Sequence, residues 1–345
     1  MTVRVGLIGY GLAGSVFHAP LLPAAGLELA AVASTRPEVV KRDWPAVTVH
    51  ATPQDLFADG GIDLVVIAAP SDQHAPLMLE ALAAGKHVVS DKPFTATVEQ
   101  ADEVIAAAEK ANRIASCFQN RRWDSDFLTL RKLIDEDALG EILNYRAHFE
   151  FFRSDVKERW QEVPGRATGV HYDLGAHLID QALVLFGRPD WLSADITRQR
   201  PGSQIDDGFH IRMAKGSQRI DLFASYISPD FSTRYAVHGT KGSFMKRHMD
   251  IQESQLRSGM RPGDPGFGIE TEDRWAEVTS LVDGDPVARR EPSVPGAHHE
   301  FYRGLREAIE KGVQPPVLAQ EARETIRMIE AAKRSSDEGR RIEFS

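Results

Sequence analysis

Gly9, Gly11 and Gly14 constrain this chain more than any other residues in it. They stand at the G-x-G-x-x-G spacing directly after Val3, Val5, Leu7 and Ile8, a short branched run that reads as a buried strand. In a strand–loop–helix unit of this kind the first glycine makes a tight turn and the second lets backbone approach a pyrophosphate. The third lets the helix lie close to the strand. The helix N-terminus, with the amides around Leu12 and Ala13, then faces the phosphates. The competing reading is a glycine-rich turn without a ligand. The place of the motif after the first strand favours a dinucleotide site.

Residues 27–33 read as the second strand, which ends in Ser34, Thr35 and Arg36. A free ribose 2′-hydroxyl is met at this strand end by an acidic side chain, and a 2′-phosphate by hydroxyls and an arginine. The first carboxylate here is Glu38. Two hydroxyls and a guanidinium fork suit a phosphate through charge-assisted hydrogen bonds. The expected cofactor is NADP rather than NAD, against a competing reading of these residues as a solvent-facing turn.

Residues 47–49 read as a short third strand, and 62–70 as a strand buried on both faces of a parallel sheet. The latter runs into a loop holding Ala69, Pro70 and His74, at the carboxyl end where open sheets bind ligands. A helix follows over 75–84, a strand over 87–90, an amphipathic helix over 98–112 and a strand over 114–118, ending near Gln119. This alternation describes a doubly wound parallel sheet, with a first domain of residues 1–121. In the remainder, 122–345, residues 127–134 read as helix, and 142–150, 193–197, 209–213, 219–226 and 233–238 as strands. Several alternate apolar with polar, as in an antiparallel sheet with one face covered. The partly apolar free face calls for a cover, most simply a second subunit. Residues 260–268 are a loop and 319–335 a late helix.

Two stretches outside the glycine loop could carry chemistry. Asp91-Lys92-Pro93 places a lysine at the carboxyl end of a buried strand, beside the expected cofactor cleft. In a partly desolvated site its ammonium can polarise a carbonyl or hold an alkoxide as a proton leaves. The competing reading is an ordinary surface lysine before a turn. The second stretch, 171–187, read as one helix, sets Asp173 and His177 on one face at i and i+4. A histidine can move a proton to or from an alcohol, and a neighbouring carboxylate orients it. Three alternatives stay open from spacing alone. Asp173 caps the helix with His177 in the core; Asp173 and His177 form a structural pair; or His171, Asp173 and His177 bind a metal.

Composition bounds the rest. A chain of 345 residues with 42% hydrophobic and 26% charged residues fits two globular domains. A net charge of −9 argues against a nucleic-acid partner, and no apolar run is long enough for a membrane span. The chain opens on a strand rather than an export signal, and Cys117 is its only cysteine. A reducing, cytoplasmic setting is expected.

The glycine loop, the Asp91-Lys92-Pro93 turn and the segment Tyr172-Asp173-Leu174-Gly175-Ala176-His177 together resemble the Gfo/Idh/MocA oxidoreductases over essentially the full chain. Most members carry Glu-Lys-Pro where this chain has Asp91-Lys92-Pro93. The resemblance implies an α/β protein, a Rossmann domain followed by an α/β domain on a large, mostly antiparallel open sheet. It implies Lys92 and His177 as the catalytic pair with Asp173 beside the substrate, and no metal. Residues 9–18, 120–129 and 172–181, with Arg159-Trp160, are similar to the NADP-dependent scyllo-inositol dehydrogenase branch.

On that basis the expected activity is reversible hydride transfer between NADP(H) and a secondary carbinol of a cyclic polyol or sugar, in a homodimer or homotetramer joined through the open sheet face. Expected cofactor contacts are Gly9, Gly11, Leu12, Ala13, Gly14, Ser34, Thr35, Arg36, Ala69, Pro70, His74, Asp91, Lys92 and Gln119. Arg121, Trp123, Arg159, Trp160, Tyr172, Asp173 and His177 are expected on the substrate side. The alternatives are an NAD-linked dehydrogenase of another sugar and a dinucleotide-binding sensor without turnover.

Overall fold

The computed structural model describes residues 2–156, 162–165, 167–230 and 233–344. Six strands form the first sheet: β1 (Arg4–Ile8), β2 (Glu28–Ala33), β3 (Thr48–His50), β4 (Leu64–Ile67), β5 (His87–Ser90) and β6 (Ala115–Cys117). Helices α1 (Pro37–Asp43), α2 (Pro53–Ala58), α3 (His74–Ala83) and α4 (Val98–Ala111) connect them. All pairings are parallel, in the order β3-β2-β1-β4-β5-β6. Every residue of β4 is buried, as covering a parallel sheet on both faces requires. The order reverses between β1 and β4, so the loops that leave these two strands flank the point where open sheets bind ligands. Local chemistry sets the helix ends. Thr97, in extended backbone, accepts a hydrogen bond from the Gln100 N–H to start α4, and Asn112 in the left-handed conformation stops it.

The segment after the glycine loop differs from the expected helix. It is a π-helical turn, Ala13–His18, followed by two 3-10 turns, Ala19–Leu21 and Pro23–Ala25. Pro20 and Pro23 lack the N–H that a longer α-helix needs at those places.

The later chain contributes β7 (Ile142–Glu150), β8 (Trp191–Thr197), β9 (Gly208–Lys215), β10 (Gln218–Ser225), β11 (Tyr235–Gly239), β12 (Gly242–Lys246), β13 (Ala276–Val282), β14 (Asp285–Glu291) and β15 (Ile342–Glu343). Its helices are α5 (Ser125–Asp135), α6 (Val170–Asp173), α7 (Gly175–Phe186), α8 (Gln252–Arg257), α9 (His299–Lys311) and α10 (Ala319–Glu338). The nine strands make one sheet in the order β14-β13-β12-β11-β7-β10-β9-β8-β15. Only the β7–β10 pair is parallel, so the sheet is mixed and mostly antiparallel. One face, with Tyr145, Ala147, Ile211, Met213, Ile220 and Leu222, is buried, and α7 packs on it. The opposite face carries Arg146, His210 and Arg212, with Asp221 accepting from Arg212 at 2.9 Å and Phe223 half-buried beside the His148 ring.

The chain forms two compact units. The first contains residues 1–120, 252–267 and 297–326; the second contains 121–251, 268–296 and 327–345. Buried contacts draw the segment 297–326 into the first unit. Phe301 packs on Phe118 at 5.1 Å, and the Ser116 hydroxyl donates to the Val317 carbonyl at 2.8 Å. No described helix is long and apolar enough to cross a membrane.

Candidate active site

In the first unit the glycine loop is fixed by backbone contacts that exclude side chains. Gly9 has a φ of +88°, and a Cβ there would lie 2.5 Å from the Ala68 carbonyl oxygen. A Cβ on Gly14 would lie 2.0 Å from the Gly9 carbonyl oxygen. Gly11 is different: a Cβ there would meet nothing within 4 Å. The first and third glycines therefore close the loop, and the second opens backbone to a space that a pyrophosphate fits. Leu12 is exposed and Ala13 half-buried at the start of the π turn.

Arg36 lies at the end of β2, and its Nη2 donates to the Tyr10 carbonyl inside the glycine loop at 2.9 Å. Its backbone N–H donates to the Ser34 hydroxyl at 3.1 Å. Tyr10 is anchored in turn, its hydroxyl donating to Asp43 Oδ2 at 3.1 Å. Burial, then the Asp43 charge, pushes the Tyr10 phenol up to about 12, so it stays a donor. Ser34, Thr35 and Arg36 thus end a strand beside the loop, with the guanidinium tied to it. This donor set fits a phosphorylated ribose.

The ends of β4 and β5 meet through His74, buried at 1% exposure. One ring nitrogen lies 2.7 Å from the Pro93 carbonyl oxygen and the other 3.0 Å from that of Ala69. Burial pulls this imidazole below its ordinary value, against the opposing pull of Asp91 and the two carbonyls. Asp91 Oδ1 accepts the Lys92 N–H at 2.7 Å. Burial pushes the Asp91 carboxyl up, but His18, Lys92 and His74 together hold it below the carboxylate range. Gln119, at the end of β6, is 2% exposed, and its Oε1 accepts no hydrogen bond among the described residues. A Gly11 cradle, a fixed arginine and this acceptor at the strand ends fit a dinucleotide.

The second unit holds the other candidates. The expected single helix over 171–187 is broken: α6 ends at Asp173 and α7 starts at Gly175. At the break the His177 N–H donates to the Leu174 carbonyl at 3.2 Å, an i−3 step. Asp173 and His177 therefore sit on either side of a joint rather than along one regular helix. Asp173 Oδ2 accepts the Tyr226 hydroxyl at 2.7 Å. His177 is 6% exposed, its ring centroid 6.0 Å from that of Phe149. The Arg121 guanidinium stacks 4.5 Å above the same Phe149 ring, with Nη1 donating to Asp124 at 3.0 Å.

Arg121 is placed by its backbone as well, its carbonyl accepting from Gln181 Nε2 at 2.7 Å. Gln181 Oε1 accepts from Arg234 at 2.9 Å and from the Tyr235 hydroxyl at 2.8 Å, so its amide is spoken for on both ends. Burial pushes the neighbouring Asp126 carboxyl up to about 6 despite its bond to Arg234. Tyr172 and Trp123 are half-buried. Burial, then Glu330, pushes the Tyr172 phenol up to about 12. Arg159 and Trp160 lie outside the described residues.

The structure thus gathers Arg121 and His177 about Phe149, holds Asp173 on Tyr226, and separately gathers Arg36, His74, Asp91 and Lys92 at the strand ends of the first unit. Sequence reasoning missed Tyr10, Phe149 and Tyr226. Each pairs with a residue distant in sequence, and the glycine motif around Tyr10 and the strand runs 142–150 and 219–226 marked their places but not those partners.

A family model described as an oxidoreductase family, NAD-binding Rossmann fold, matches residues 3–119, and one described as its C-terminal alpha/beta domain matches 131–344. The oxidoreductase YdgJ of Escherichia coli K12 is 44% identical over 330 residues, covering 95% of this chain and 94% of its own. The scyllo-inositol 2-dehydrogenase (NADP(+)) IolW of Bacillus subtilis is 40% identical over 342 residues, covering 99% and 96%. The solved structure of the Bacillus subtilis oxidoreductase yvaA is similar at a TM-score of 0.97 and 39% identity, covering 100% of this chain and 99% of that one.

Proposed function

The chain belongs to the Gfo/Idh/MocA oxidoreductase family, and on that premise we propose that it is an NADP-dependent dehydrogenase of an inositol-like cyclic polyol or sugar, with scyllo-inositol the first candidate substrate. The observation that carries the reading is the near-full-length, 40% identical relative named for scyllo-inositol and NADP. Arg36, tied to the glycine loop and joined by Ser34 and Thr35, supports the choice of NADP over NAD.

In this reading residues 1–121 bind dinucleotide, and 122–345 bind substrate and form the subunit interface of a homodimer or homotetramer through the open sheet face. The backbone from Gly9 through Gly14 holds the pyrophosphate. Ala69, Pro70, His74, Asp91, Lys92 and Gln119 serve the nicotinamide end. Bound there, the nicotinamide supplies a hydride acceptor or donor. His177 takes the hydroxyl proton of the substrate as the carbinol is oxidised, and the Lys92 ammonium steadies the developing alkoxide. Asp173, held by the Tyr226 hydroxyl, orients the two. Arg121, Trp123 and Tyr172, with Arg159 and Trp160, supply the stacking and hydrogen-bonding surface that a polyhydroxylated ring needs. The lone, buried Cys117 suits a cytoplasmic protein.

The assignment of Lys92 is tested by Lys92→Ala. Turnover falls by roughly three orders of magnitude while the affinity for NADP, measured by fluorescence titration, is kept. Near-normal turnover removes Lys92 from the reaction.

A further inference from the structure

His18 closes the segment that follows the glycine loop, and nothing above gives it a role. It is 0% exposed, although an imidazole is a costly side chain to bury without partners. Its Nδ1 lies 2.5 Å from the hydroxyl of Tyr302, on α9, itself fully buried. Its Nε2 has no hydrogen-bond partner among the described residues and faces Asp91 Oδ2 at 3.7 Å, within ion-pair reach. The ring packs among aromatic neighbours, tilted at 46° to Phe118 with centroids 4.5 Å apart and edge-on to Tyr302 at 6.2 Å. The other oxygen of Asp91 accepts the Lys92 N–H at 2.7 Å. A line of polar groups, buried at Tyr302 and His18 and half-buried at Asp91, therefore runs to the backbone of Lys92.

We propose that His18 is a positioning residue for the Asp91–Lys92 turn: Tyr302 donates its hydroxyl proton to Nδ1, which leaves the ring proton on Nε2, directed at Asp91 Oδ2. The direction of the chain follows from proton inventory. A neutral imidazole carries one N–H, and the nitrogen that accepts from the phenol cannot carry it. The carboxylate oxygen that faces Nε2 can only accept, so the ring proton belongs on Nε2 and the Tyr302 hydroxyl, which burial and the Asp91 charge keep protonated, is left to donate to Nδ1. Asp91 is then held on Oδ1 by the Lys92 amide and faced on Oδ2 by the His18 Nε2–H at 3.7 Å. Freedom of the carboxylate to rotate would be freedom of the Lys92 backbone to move. The consequence for turnover rests on the reading of Lys92 as the group that steadies the alkoxide; the arrangement of Tyr302, His18 and Asp91 does not.

Two measurements test this, and the first needs no turnover. Long-range 1H–15N spectra of histidine-labelled protein, with His18 assigned through His18→Gln, should show the Nε2-protonated tautomer. An Nδ1-protonated ring overturns the proposal. The second compares Tyr302→Phe, His18→Leu and His18→Gln. If His18 only fills the core, leucine serves as well as glutamine. If it positions Asp91, glutamine keeps a donor where Nε2 stood and leucine does not. Tyr302→Phe and His18→Leu should lower kcat about tenfold with KM and the NADP dissociation constant held within about twofold, and His18→Gln should recover most of the loss. Equal kcat in the leucine and glutamine variants overturns the proposal. If the wild-type protein turns over no polyol or sugar, the dehydrogenase reading fails, and the tautomer alone decides the chain from Tyr302 to Asp91.

Discussion

In the proposed reading Arg36 selects NADP, and one contact fixes its place. Its guanidinium is held by a backbone oxygen of the loop that approaches the pyrophosphate, so its fork does not depend on a flexible surface partner for its place. Arg36→Asp replaces that fork with a negative charge at the same strand end. The affinity for NADP should fall by about a hundredfold, the loss of one charge-assisted pair plus repulsion, while NAD binds as well or better. Fluorescence titration with both cofactors measures it; an unchanged preference removes Arg36 from the site. At this scale the sequence was readable where a residue type is forced by its own backbone. Gly9 and Gly14 are required by contacts of 2.5 Å and 2.0 Å that any side chain would make with local backbone, and that requirement is visible as spacing. Tyr226 was not readable as the partner of Asp173, because the two lie 53 residues apart and meet only through the folding of β10 toward α6.

The joint between α6 and α7 is an element-scale feature that periodicity hides. The apolar pattern over 171–187 is continuous, so it reads as one helix, whereas the hydrogen bond at Leu174 shortens to an i−3 step. The strand 142–150 was legible to the residue because apolar and polar residues alternate from Asn144 to Phe149. β12, β13 and β14 were not anticipated; β14 is exposed along nearly its whole length, so it shows little of the alternation that marks a half-buried strand.

α6 also carries a pH signature. Burial takes His171 down to about 4, with Asp206 opposing. The folded state therefore holds it neutral where the unfolded chain, with an ordinary value of about 6.5, takes up a proton. Its contribution to stability is full above about pH 6.5 and is lost as pH falls through that value toward 4. Denaturant unfolding should show the wild type losing stability from about pH 7 to about pH 5, and His171→Gln losing less. Identical slopes contradict the assignment. His87, taken down to about 4 by burial and then by Arg113, adds a drop of the same sign that the variant keeps.

For the molecule as a whole, the parallel sheet was legible because strand and helix alternate in an order with few topological solutions. The return of residues 252–267 and 297–326 to the first unit was not, since it depends on side chains such as Phe301 finding Phe118 across a long stretch of chain. The central claim is a reaction, NADP-linked oxidation of a cyclic polyol or sugar, and it is tested most directly by following reduced-nicotinamide absorbance with purified protein, NADP or NAD, and a panel of inositols and aldoses. Turnover of at least one cyclic polyol or sugar with NADP is expected, and much slower turnover of the same compound with NAD. Tight NADP binding with no reduction of it across the panel would contradict the account.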